Sequence, residues 1–138
     1  MFSFMSSEST AKGFPSPAQD YKEKLLDLNT LLVKNPPATF FLRCKGNAMT
    51  RAGLFNNDIL VVDKSVKPKT GHIVVAFLDG EFVVRRLHLR NNGAYLSSES
   101  FSSAGADSAE EIFGDLQDFR IWGVVTNIIH DPNTNHAD

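Results

Sequence analysis

The run "GHIVVAFLDGEFVVRRLHLR", residues 71–90, constrains the fold more than any other stretch of the chain. Two runs rich in β-branched and aromatic residues flank Asp79-Gly80. That dipeptide favours the tight turn of an antiparallel hairpin, because both central positions need positive φ. A lone hairpin is marginally stable in water, so the rest of the chain must extend it into a sheet. Suitable runs are present. "TFFLRC" at 39–44 reads as a strand. "DILVVD" at 58–63 has a nearly continuous apolar centre, as a strand covered on both faces does. "AYLSSE" is a weaker strand, and "FRIWGVVTNIIH" at 119–130 is a long final one, kinked at Gly123. One short helical segment precedes them. Ser16 and Pro17 fit its N-cap and first position, and Tyr21, Leu25 and Leu28 share a face. A second turn is expected around Leu31, and Pro36 and Pro37 end any helix. Residues 100–117 are rich in Ser, Ala and acids and read as loop. The expected fold is mainly β, a partly closed barrel or sandwich with one short helical segment.

Bulk properties narrow the classes. At 138 residues and 42% hydrophobic content, the chain builds one compact domain. The formal net charge of -2 gives no general affinity for nucleic acid, and no sequence-specific DNA binding is expected. A single cysteine, Cys44, excludes an internal disulfide and points to a reducing, cytoplasmic setting. No apolar run approaches the roughly 18 residues of a membrane helix. The start, "MFSFMSSEST", lacks the charge and apolar centre of a signal peptide. Residues 1–13 read as a flexible arm, 14–131 as the domain, and 132–138 as a polar tail.

Few residues advertise chemistry. On the second hairpin strand, alternation puts Glu81, Val83, Arg85, Leu87 and Leu89 on one face. Arg85 thus falls on the more apolar face, where a cation needs a partner, a wet pocket or an edge to reach. Arg85, Arg86 and Arg90 could form a basic strip, which without an aromatic ladder reads as a solvated face. The histidines at 72, 88, 130 and 136 have no metal-site spacing, and neither metal nor cofactor is expected. Cys44 lies in an apolar strand and reads as a small core residue. "KGNAMTRAG", residues 45–53, has the look of a nucleophile turn, yet its small residue is Ala48.

From Gly13 to about Asp131 the sequence resembles the UmuD/MucA proteins, SOS-mutagenesis relatives of the self-cleaving LexA repressor. "GFPSPAQDY" is similar to the segment just past the family's self-cleavage point. "DLNTLLVKNPPATFFLR", "NDILVVDKS", "GHIVVAFLDGEFVVRRL" and "IWGVVTNII" follow in the family's order. The resemblance implies a LexA-like, mainly β domain that pairs as a homodimer. It implies a Gly-x-Ser-Met nucleophile motif and a hairpin lysine as its base. The flanks Gly46, Asn47 and Met49 match that motif, but Ala48 stands at the serine position and Arg85 at the lysine position. Alanine has no hydroxyl, and an arginine guanidinium only donates, so it cannot take a serine proton. The cut by resemblance falls between Lys12 and Gly13, where the family has a small residue before the glycine.

The expected function is therefore an accessory dimer for a UmuC-like Y-family DNA polymerase in translesion synthesis. The RecA filament is its other expected partner, and self-cleavage is lost. Two alternatives stay open. One is a self-cleaving serine peptidase trapped by a serine-to-alanine change at Ala48. The other is a regulatory pseudoenzyme that forms a heterodimer with an active UmuD-like protein. A LexA-type repressor fits poorly, because twelve residues before Gly13 cannot hold a helix-turn-helix domain.

Overall fold

A computed structural model describes residues 25–101, 112–113 (backbone only) and 119–133. The chain separates into two units, 1–31 and 32–138. The expected helix start at Ser16 and Pro17 lies outside the described residues. The expected second turn is present as α1, Leu28–Leu32. Asp27 opens it, its carboxylate accepting the Asn29 N–H at 3.0 Å.

The described residues of the second unit build one open antiparallel sheet. Its strands are β1 Thr39–Arg43, β2 Ile59–Asp63, β3 Ile73–Leu78, β4 Glu81–Arg90, β5 Gly93–Ser97, β6 Ile112–Phe113 and β7 Phe119–Ile129. Their order across the sheet is β1-β2-β7-β3-β4-β5-β6. The hairpin forms as its sequence requires: Asp79 and Gly80 both take positive φ, 52° and 82°, and Leu78 pairs with Glu81. β2 is buried from Leu60 through Asp63, as its apolar run predicts.

Two expectations need correction. Among the described residues the sheet does not close, because β1 and β6 stand at opposite ends of the order and share no ladder. The segment expected to be loop contributes β6, whose Ile112 and Phe113 pair with Ser97 and Leu96. The rest of 102–118 lies outside the described residues.

The sheet packs on both faces. Val74, Ala76 and Leu78 of β3 join Leu87, Leu96 and Phe119 in one cluster. Val75 faces the other way, with Val62, Leu60, Cys44, Met49 and Leu54. The second cluster matters for function, because the loop that follows β1 folds over it. β7 bridges the halves and is irregular on either side of Gly123. Its register shifts against β3 between Val75 and Ala76, and against β2 between Val61 and Val62. Gly123 is required there by contact: a Cβ would lie 2.6 Å from Cγ1 of Val62.

Candidate functional site

The loop from Cys44 to Asp58 is held by a ring of backbone bonds. The Cys44 N–H donates to the Asp58 carbonyl and the Asn57 N–H to the Cys44 carbonyl, both at 2.8 Å. Gly46 turns the chain with φ 95°, a left-handed value that side chains resist. Its N–H donates to the buried Asn56 carboxamide at 2.7 Å. A 3-10 turn over Thr50–Ala52 follows, closed by Gly53 at φ 87°. Met49, 2% exposed, pins the loop to the core, and its carbonyl accepts from both Ala52 and Leu54.

This frame sets Ala48 at the edge of a cleft of about 540 Å³. Arg85 reaches the same cleft from β4, and Gly46, Met49 and Cys44 line it too. The two positions singled out in the sequence, thirty-seven residues apart, are thus brought together. Asn47 is exposed and is not among the cleft residues. Lys12 and Gly13 lie outside the described residues. Arg85 is half-buried, and its Nη1 donates to the Val84 carbonyl at 2.8 Å. Its charge is felt at the Cys44 thiol. Burial pushes that thiol up from its ordinary value, and Asp58 adds to the rise, while Arg85 and Lys45 pull against it. A buried thiol held protonated is a core residue and a poor nucleophile.

Glu99, a residue the sequence did not single out, locks the loop to the hairpin. Its N–H donates to the Ala48 carbonyl and its carbonyl accepts from the Arg51 N–H, both at 2.8 Å. Its carboxylate takes a forked pair from Arg86, Nε to Oε2 at 2.7 Å and Nη2 to Oε1 at 2.9 Å. Hydrogen bonding from Arg86 holds the Glu99 carboxyl below its ordinary value, against some burial, with Arg86, His88 and Arg51 charges assisting. The Arg86 guanidinium is raised in turn, chiefly by the same bonds. The basic strip is therefore engaged: Arg86 is paired, and Arg90 lies 5.1 Å over the Tyr95 ring. At the loop's far end, Asp58 is 2% exposed on its side chain and meets His130 Nδ1 at 2.7 Å. Its second oxygen accepts the Phe55 N–H at 2.9 Å. Among the described residues no three His, Cys, Asp or Glu side chains are grouped to hold a metal. No helix among them is long and apolar enough to cross a membrane.

An open β sheet with a glycine-turned loop beside a hairpin strand, sharing one cleft, is the arrangement of a LexA-like domain. The chain belongs to the Peptidase S24-like family, whose model matches residues 4–126. Its relatives fall in the UmuD/MucA group that the sequence resembles. It is 48% identical over 118 residues to Protein ImpA of Escherichia coli, covering 86% of this chain and 77% of that protein. Protein SamA of Salmonella typhimurium is 45% identical over 118 residues, 86% of this chain and 78% of SamA. Protein MucA of Escherichia coli is 40% identical over 116 residues, 83% of this chain and 75% of MucA.

Proposed function

We propose that this chain is a UmuD-like SOS-mutagenesis protein that does not cleave itself and serves as an accessory dimer for a UmuC-like polymerase. The observation that carries the reading is that Ala48 and Arg85 line one cleft. A Ser-Lys dyad needs a hydroxyl and a base whose proton can leave. Alanine supplies no nucleophile, and an arginine beside it stays charged and supplies no base. Cys44, the chain's single thiol, lines the same cleft but is buried and held protonated, so it offers no substitute. Lys12 before the would-be cut adds a third change in the same direction, since a long cation fits poorly where the family places a small residue.

The protein then acts by holding partners: a second copy, the polymerase and the RecA filament, in the cytoplasm. In this reading residues 1–13 are an arm, 14–131 the pairing domain and 132–138 a tail. Titrating the purified chain against the polymerase subunit, with and without residues 1–13, tests it. Saturable binding is expected, and no binding in either form counts against it. A second reading, a pseudoenzyme paired with an active UmuD-like protein, is favoured by the intact frame around Gly46 and Ala48. Mixing the tagged chain with a differently tagged, active UmuD-like protein decides that point: heterodimers are expected, and homodimers alone would rule the reading out.

A further inference from the structure

We propose that the cleft beside Ala48 is a receptor for an extended, carboxylate-bearing peptide segment of a partner protein, which it holds without cutting. This rests on the reading above and names what the silent cleft takes. Its rim is cationic. Arg43, Lys45 and Arg85 line it against one acid, Glu81. Arg43 Nη1 donates to the Asn57 carbonyl at 2.9 Å, and Lys45 Nζ to the Asn57 side-chain oxygen at 3.1 Å. Both acceptors are neutral, so neither bond cancels a charge. Each cation therefore keeps its full charge for a carboxylate arriving at the rim, and charge-assisted bonds are the strong ones.

The floor is apolar, with Leu42, Met49 and Leu60. From the rim an aromatic strip continues outward. Phe82 lines the cleft and is 59% exposed. Its ring lies 5.2 Å from Phe77 and 5.8 Å from Trp122, which in turn lies 5.2 Å from Phe40. Phe40 and Phe77 are exposed as well. Successive side chains of an extended peptide point to opposite sides, so acidic and apolar groups can reach rim and strip from one short segment. A nucleic acid would match the rim charges but not the floor, and the whole chain's charge of -2 opposes a polyanion. With no hydroxyl at Ala48, nothing in the cleft attacks the bound backbone.

The test uses the full chain and fluorescence anisotropy. The probes are fluorescein-labelled Glu-Leu-Glu-Phe-Glu, its glutamine counterpart Gln-Leu-Gln-Phe-Gln, and labelled oligo(dT). The acidic peptide should bind, and the glutamine peptide should bind about tenfold more weakly or not at all. Arg43→Glu and Lys45→Glu should each weaken the acidic peptide about tenfold. Phe82→Ala should weaken it too. Lys67→Glu changes net charge equally at an exposed lysine outside the cleft and should leave binding unchanged. Thermal melts establish that each variant is folded. Equal affinity for both peptides, indifference to Lys45→Glu, or binding of oligo(dT) alone overturns the proposal. Intact-mass spectra of the same samples separate the two readings. An uncut, unbound peptide sinks this inference only, whereas a cut peptide or a cut chain sinks the loss of cleavage.

Discussion

Replacing Glu99 with glutamine removes one charge from the pair that ties the Ala48 loop to β4, while keeping the side chain's shape. The forked contact to Arg86 is short on both arms, 2.7 and 2.9 Å. Fully exposed ion pairs contribute about 0–1 kcal/mol, and hydrogen bonds to charged groups about 1.5–3 kcal/mol. Here the side chains are 27% and 23% exposed, so solvent screens part of the interaction. A loss of about 1–2 kcal/mol follows. With a urea slope of about 1–3 kcal/mol per molar, the midpoint should fall by roughly 0.3–2 M at pH 7. The pH dependence has a definite sign. Arg86 hydrogen bonding depresses the Glu99 carboxyl in the folded state. The stabilisation is therefore complete above the usual glutamate value of about 4.3, and is lost as pH falls through the folded value. Wild type and Glu99→Gln should differ fully at pH 7 and converge in strong acid. Hydrogen exchange should also quicken at the Glu99 and Arg51 amides, which bond across the loop. Equal midpoints at pH 7, or a gap that persists unchanged in acid, would refute the assignment of Glu99 as the clamp.

Other substitutions probe the rest of the account. Gly123→Ala places a methyl group 2.6 Å from Val62 Cγ1, and overpacking of this kind should cost about 1–3 kcal/mol in urea unfolding. Asp58→Ala strips the Phe55 N–H and His130 of their buried acceptor, and a loss of about 2–3 kcal/mol is expected from the same assay. Ala48→Ser alone should leave the chain whole at alkaline pH, because Arg85 cannot take the hydroxyl proton. The triple change Ala48→Ser, Arg85→Lys and Lys12→Ala should cut before Gly13, seen as a new mass. Cleavage by the single variant would show that Arg85 is not the obstacle.

Much of the sheet was legible because its signals are local. Asp79-Gly80 forces a hairpin, and the alternation through 81–90 fixes which residues share a face. The apolar run at 59–62 reads directly as a strand covered on both sides. What was not legible depends on contacts between distant residues. β6 is two residues long inside a Ser- and acid-rich stretch, and only pairing with β5 makes it a strand. Closure of the sheet is a property of its edges, and no strand's own pattern reports whether its edge finds a partner. Alternation set Arg85 on an apolar face, but not that the loop after β1 would bring Ala48 to it. Glu99 was missed because its role lies in bonds to Ala48 and Arg86, and nothing in "LSSES" announces them. The signal available was an acid that follows a strand pairing with an Arg-rich one.

The central claim is that the chain does not cut itself. Its most direct test is intact-mass spectrometry of the purified protein after incubation at alkaline pH, and separately with RecA filaments on single-stranded DNA. The account predicts one unchanged mass under both conditions. Efficient loss of the first twelve residues, leaving a chain that begins at Gly13, would contradict it.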